Sequence, residues 1–331
     1  GVNTALRAVP QVAGFELALG ILALVMLASE PRLHAHAVAV VRRLTSAAKV
    51  GHGGTLDPLA TGVLPIALGE ATKTVSYAMA GAKRYRFAVC FGEARATDDA
   101  EGEVTATSPH RPDRAAIEAA LPSFLGEIEQ VPPAFSALKI EGQRAYAIAR
   151  AKGTPVLASR RVQIEEFRLL EIPDVDHAVF EVRSGKGAYM RALARDLARA
   201  LGTFGHVASL RRLAVGPFTE NEAISLDCLA DLVHSARLAE ALRPVATVLD
   251  DIPALALTES EARRLRQGQP IAALPVASRS PKSDIVPGAR VRAMFDGRLV
   301  ALAEVQGGEI RPVRVINELT EASVKETPDV D

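Results

Sequence analysis

Apolar and polar side chains alternate along residues 85–92, YRFAVCFG, and again along 178–185, AVFEVRSG, which is the period of a half-buried β-strand. Elsewhere the period is helical. RPDRAAIEAALPSFLGEI (111–128) carries an apolar stripe at helical spacing, and YMRALARDLARALG (189–202) places Met190, Leu193, Ala194, Leu197 and Leu201 on one face, with Gly202 as the stop. Strands and helices are mixed without a regular βαβ repeat, so the pattern predicts an α+β fold with a mixed or antiparallel sheet rather than a doubly wound one. Around LDDIPALALTES (249–260) the pattern changes. A short helix, ESEARRLRQGQ, leads through a Pro/Ser-rich stretch (275–288) to alternating strands broken at Asp296-Gly297 and Gly307-Gly308, two hairpin signals. The pattern therefore predicts a leader over 1–15, a larger domain over 16–250, a small β-rich domain over 251–318 and a polar tail over 319–331.

Leu17 to Ser29, LALGILALVMLAS, is apolar enough to suggest the core of a secretion signal, but only Arg7 precedes it and Glu16 sits at its edge. It is also shorter than the roughly 18 apolar residues that a membrane span needs, so a buried strand or helix of the first domain is the better reading. Composition changes the picture little. With 48% hydrophobic residues among 331, the chain can bury a substantial core. Lys+Arg and Asp+Glu both number 39, so a polyanionic partner would have to meet a local basic patch rather than the field of the whole molecule. Cys90 and Cys228 are far apart and lack metal-ligand spacing, which argues against a disulfide framework and a zinc site and fits a reducing cytoplasm.

Candidate chemistry centres on VGHGGTLDPLATGVLPIALGEATK, residues 50–73. Asp57 followed by Pro58 is a good helix start, with the aspartate as N-cap. Gly51, Gly53 and Gly54, however, clear side chains from just before the carboxylate, which a cap does not require and a closely approaching ligand does. A carboxylate on a loop between rigid apolar flanks is also how a nucleophile or general base is presented. The stretch is no phosphate loop: Gly69 is followed by Glu70, where the lysine and hydroxyl of a nucleotide triphosphatase should stand.

GHGGTLDPLATGVLPIALGEATK closely resembles the signature block of the bacterial tRNA pseudouridine synthase B family, the TruB type. Further blocks match in the family's order: KRYRFAVCFG (83–92), TDDAEGEV (97–104), PPAFSALKIEGQRAYAIAR (132–150), GKGAYMRALARDLARALG (185–202) and HVASLRRLAVGPF (206–218). The resemblance covers roughly residues 36 to 331 and includes a C-terminal domain similar to the small RNA-binding PUA type. It implies an isomerase that converts the T-loop uridine at position 55 of tRNA to pseudouridine on a flipped-out base, with no cofactor or metal and with the tRNA T-arm as partner. It implies no obligate protein partner, a monomer and a cytoplasmic setting.

By the same resemblance Asp57 is the catalytic carboxylate, acting at the ribose C1′, at the uracil C6 or through an elimination. Arg191, in the K-G-x-Y-x-R block, would pair with it in fork geometry. Tyr85 would stack on the target uracil, a contact worth about 1–3 kcal/mol. His52 would fill the place of displaced bases, and Tyr189 and Leu210 would line the uracil pocket. Lys186, Arg211 and Arg212 fall in a basic cluster from which RNA phosphates can be contacted, whereas Arg195 and Arg199 read as solvated charges on a helix face. The chain departs from the family before residue 36, with Glu30 where relatives carry a lysine ahead of proline. Two other readings stand beside this one: a catalytically inactive RNA-binding protein or RNA chaperone on the same fold, and a hydrolase using a carboxylate pair. The second needs another acid beside Asp57, and nothing in the family pattern brings Asp98, Asp99 or Glu101 there.

Overall fold

The computed structural model describes residues 21–26, 33–136, 139–140, 143–144, 157–279 and 287–317. The leader, Glu30, the polar tail and most of the 137–150 segment lie outside the described residues. In chain order come β1 (Ile21–Met26), the helix Leu33–Thr45, β2 (Val50–His52), β3 (Ala60–Leu68) and β4 (Lys83–Phe91). The hairpin of β5 (Glu93–Arg95) and β6 (Val104–Thr107) precedes the helix Arg114–Ala120, β7 (Gly126–Gln130) and the small pair β8 (Lys139–Ile140) and β9 (Gln143–Arg144). Next are β10 (Arg160–Glu171), β11 (His177–Ser184), the helix Met190–Ala200, β12 (Gly205–Val215), β13 (Phe218–Thr219), the helix Leu226–His234 and β14 (Leu242–Arg243).

Ten of these strands form one mixed sheet among the described residues, in the order β14-β1-β3-β12-β4-β11-β10-β7, with β2 added to β3 and β13 to β12. Every pairing on that path is antiparallel except β3 with β12, where Ala60, Thr61 and Gly62 run parallel to Leu210, Arg211 and Arg212. Part of the apolar N-terminal stretch is therefore a strand, with Ile21–Met26 in register against Gly62–Ala67.

Two expectations change here. The apolar run after Asp57 is not a helix, so Asp57 caps none. The chain makes a tight turn in which the Ala60 N–H donates to the Asp57 carbonyl at 2.9 Å, and then runs as β3, buried along nearly its whole length. A central strand covered on both faces reads as a continuous apolar run, which local pattern alone does not separate from a buried helix. The helix expected over 111–128 stops at Ala120. Asp113 caps its start through the Ala116 N–H, but Pro122 has no N–H to extend it, and Gly126, at φ +84°, turns the chain into β7.

The core of the larger sheet is aromatic and aliphatic. The Phe87, Phe167 and Phe180 rings lie 5.4–6.2 Å apart, and Leu193, Ala194 and Leu197 of the helix Met190–Ala200 are fully buried in the same cluster. The C-terminal part has its own five-stranded sheet, built from β15 (Ala254–Ala256), β16 (Ile271–Ala272), β17 (Arg290–Phe295), β18 (Arg298–Gln306) and β19 (Glu309–Val315). Its two hairpins turn at Asp296-Gly297 and Gly307-Gly308, all four at positive φ, as turns matching the strand twist require. The helix Glu259–Arg266 packs on this sheet and starts with a capping box between Thr258 and Glu261. A further apolar cluster joins the two sheets, with Val63, Ala67, Phe218 and Leu249 against Leu299, Leu302 and Ile316.

Candidate active site

The loop Gly53–Leu59 leaves the sheet at a gap in its pairing. β1 covers one edge of β3; on the other, β12 covers Ala60–Gly62 and β2 covers Ile66–Leu68. Val63 to Pro65 face no strand on that side. Gly53 fills part of the gap, its N–H donating to the Pro65 carbonyl at 2.7 Å, and the loop rises from there to Asp57. Gly62 makes the junction with β12 possible. It sits at φ +104°, and a Cβ there would lie 2.1 Å from the Arg212 carbonyl oxygen.

Arg191 meets Asp57 from the first turn of the helix Met190–Ala200. Its Nε donates to Asp57 Oδ2 at 2.9 Å and its Nη2 to Oδ1 at 3.0 Å, the bidentate fork that fixes a carboxylate in plane. The same guanidinium donates to the carbonyls of Thr97 at 3.0 Å and Phe135 at 3.1 Å, and its Nη1 lies 3.3 Å from Asp99 Oδ2. Four hydrogen bonds and an ion pair with Asp99 thus hold the guanidinium. Burial acts to lower the Arg191 pKa, but the Asp57 and Asp99 carboxylates outweigh it and hold it above the ordinary value. Arg191 is 3% exposed and Asp57 25%, so the arginine is a fixed base on which the carboxylate stands facing an opening.

Asp99, which no sequence pattern brings to Asp57, stands on the far side of Arg191. Asp99 is buried, and its Oδ1 accepts from the Thr97 hydroxyl and the Glu101 N–H while Oδ2 faces Arg191. With its oxygens occupied behind the arginine, it completes an ion cluster rather than offering a second acid to substrate. Arg195 corrects the expectation of a solvated charge: one turn after Arg191 on the helix, it is only 14% exposed and donates to Asp98 Oδ2 and the Val131 carbonyl. Arg199 is solvated, as expected.

Asp57 opens into a cleft of about 420 Å³, which includes the space at its mouth. Tyr85, Tyr189, Leu210 and Arg212 form much of its wall, together with Ala60 and Met190. Tyr85 and Leu210 come from facing strands, β4 and β12. Burial pushes the Tyr85 phenol pKa up and the Asp57 charge adds to that, while the neighbouring Arg212 guanidinium pulls it down. Tyr189 precedes the helix and is clamped by the side chain of Gln130, which donates to its carbonyl at 3.1 Å and accepts from its N–H at 2.8 Å. The Arg160 guanidinium lies 4.6 Å from the Tyr189 ring centre and donates to the Gly187 carbonyl, stiffening the turn before the helix.

Asp57, Arg191, Tyr85, Tyr189 and Leu210 are therefore brought together. His52 and Lys186 are not in the cleft wall: His52 ends β2, opposite Ile66, and Lys186 is exposed in the turn after β11. Lys83, two residues before Tyr85, is buried and pushed down to about 8 by desolvation and then by the charges of Arg212 and Lys186. Arg212 is no surface cation, contrary to the basic-cluster reading; it is 2% exposed. Asp99, Gln130, Arg160 and Arg212 were all missed as parts of the site. For Asp99 a signal existed, since TDDAEGEV was already recognisable as a block of the resemblance.

A carboxylate locked to an arginine beside a cleft tyrosine, on a mixed sheet followed by a small β-rich sheet, is suited to nucleophilic chemistry on a ring seated in the cleft. The fold overlays a solved Cbf5–Nop10–Gar1 complex with a TM-score of 0.71 and 25% identity, over 90% of this chain and 85% of that one. Residues 42–190 match the TruB family pseudouridylate synthase N-terminal domain, 191–250 the tRNA pseudouridylate synthase B C-terminal domain, and 253–316 the C-terminal domain of pseudouridine synthase II TruB. The chain is 59% identical over 277 residues to the tRNA pseudouridine synthase B of Rhodospirillum rubrum and 54% identical over 280 residues to that of Caulobacter vibrioides, covering in each case 84% of this chain and 90% of the relative. The chain belongs to the TruB family of pseudouridylate synthases.

Proposed function

We propose that this protein is a tRNA pseudouridine synthase that isomerises the T-loop uridine at position 55, working as a monomer on the T-arm in the cytoplasm. Arg191, forked onto Asp57 and aiming it into a cleft beside Tyr85, is the observation that carries the chemistry. In the reaction the bond between uracil N1 and ribose C1′ breaks, a C5–C1′ bond forms, C5 loses a proton and N1 gains one. Atoms and electrons balance within the substrate, so the stoichiometry calls for no external cofactor.

Asp57 serves as the nucleophile, at C1′ or C6 or through an elimination at the sugar, and Arg191 holds it in plane throughout. The uridine must leave the stacked loop to reach it. Tyr85 stacks against the extruded base, and Leu210 and Tyr189 give it an apolar seat, offsetting part of the unstacking cost. His52 and Lys186, outside the cleft, meet the RNA around it. A second acid for glycoside hydrolysis lacks support, because Asp99 is engaged behind Arg191.

The test is incubation with unmodified tRNA, nuclease digestion and chromatographic separation of uridine from pseudouridine. One pseudouridine per tRNA, at the T-loop position and without added metal or nucleotide, is expected. No product at stoichiometric folded enzyme would sink the proposal, and product at another position would remove the T-arm assignment.

A further inference from the structure

Arg212 is a buried cation whose acceptors are not carboxylates. Its Nε donates to the Val63 carbonyl at 2.9 Å, Nη2 to that of Gly54 at 3.1 Å and Nη1 to that of Thr55 at 3.3 Å. Among the described residues no carboxylate lies within ion-pair distance of it. Burying a guanidinium without a counter-ion is costly, so the contacts that retain it here bear on what the residue does.

Those contacts join two parts of the site. On the edge of β3 away from β1, Val63 lies between the segments covered by β12 and β2, and Arg212 supplies the donor that no strand provides there. Gly54 and Thr55 belong to the loop that carries Asp57, and Gly54 stands at φ +99°, where an added Cβ would lie 3.5 Å from Arg212 Nη1. On its other side Arg212 is the register partner of Tyr85 across β12 and β4, and the two share the wall of the cleft. A guanidinium has donors only. A hydrogen bond between these neighbours can run only from the guanidinium to the Tyr85 phenol oxygen, which leaves the phenol proton for an acceptor on the cleft side.

We infer that Arg212 is a positioning residue of this active site, tying the Asp57 loop to the Tyr85 hydroxyl so that the nucleophile and the ring facing the base keep one mutual spacing. The inference rests on the roles proposed for Asp57 and Tyr85, and it assigns Arg212 no contact with the reacting atoms. A residue that merely plugged the gap in the sheet would affect stability; a positioning residue acts on the chemical step through its partners.

Single-turnover pseudouridine formation, tRNA binding and thermal melting of Arg212→Lys, Tyr85→Phe and the double variant separate the two. Arg212→Lys, which keeps the charge and loses the three-way fork, is expected to slow the chemical step about tenfold or more while tRNA affinity stays within about twofold. In the Tyr85→Phe background the same change should cost less than about threefold, because the partner through which it acts is gone. Additive losses, or a lower melting temperature with the chemical step intact, would overturn the inference. Should Arg212→Lys not fold, hydrogen exchange at residues 53–57 decides the matter in proteins that do: Tyr85→Phe is expected to speed exchange there and leave β11 unchanged, and equal rates in wild type and variant would overturn it. An Asp57→Asn control on the same tRNA keeps failure of the nucleophile assignment distinct, since turnover surviving in that variant removes the premise and not the Arg212 coupling.

Discussion

At the scale of single residues, the nucleophile and its holder respond differently to substitution. Asp57→Asn keeps the shape but loses the anion, so turnover should fall to background in a single-turnover assay. Asparagine also accepts less well from the Arg191 fork, which leaves a buried cation underpaired; a loss of about 1–2 kcal/mol in chemical denaturation is expected. Arg191→Lys should cost more, about 3 kcal/mol, because one ammonium cannot serve the Asp57, Asp99, Thr97 and Phe135 oxygens together, and catalysis should drop with it. Asp57 was legible in the sequence because three glycines and a proline frame it, and Arg191 because a short block surrounds it. The burial of Arg212 was not, for a geometric reason. Arg212 bonds to Thr55 across 157 positions, and whether an arginine faces water or a carbonyl depends on which strand lies opposite, which local pattern does not contain. His52 and Lys186 show the converse, recognisable positions that stand outside the cleft wall.

Elements carry the next set of effects. β3 pairs parallel with β12 for only three residues, and Gly62 is the point of closest approach. Gly62→Ala sets a methyl against the Arg212 backbone at a φ that L-residues resist, so a loss of more than about 3 kcal/mol in thermal or urea unfolding is expected, with the cleft distorted at the same time. At the other end of β12, His206 is buried with its Nδ1 3.1 Å from the Glu93 carbonyl. Burial, aided by the Arg95 charge, lowers its pKa below the ordinary 6.5 despite that carbonyl. The folded state therefore prefers the neutral ring: the contribution is complete above 6.5 and is lost as pH falls from there towards the lower folded value. Melting between pH 7 and 5 should fall less steeply in His206→Gln than in wild type. The strands of β4 and β11 and the helix Met190–Ala200 were readable because one face is buried and the other wet. β3 was not, since burial on both faces erases the period, and Asp-Pro then points to a helix that the turn back into the sheet forestalls.

Across the whole molecule, the two sheets share an apolar cluster and are latched at its edge, where Lys73 donates to the Val315 carbonyl and the Asn317 N–H to Glu70. Leu302 is buried in that cluster beside residues of β3. Leu302→Ala should therefore cost about 2–4 kcal/mol and, because both sheets border the cavity, lower a single calorimetric transition rather than split it. Separate transitions would mean that the shared cluster does not couple the sheets. The sequence changes pattern near residue 250, but the shared cluster is not legible in it, since each strand contributes only one or two side chains to it. The parallel seam between β3 and β12 also sets an order in time. A chain emerging from the ribosome completes the Asp57 loop early, yet β12, the strand that flanks β3 at the cleft, and Arg191, which lies 134 residues beyond Asp57, follow much later. Until then β3 lacks its parallel neighbour and exposes apolar surface, so the nascent chain passes through a long interval in which it needs protection from association and carries no catalytic centre.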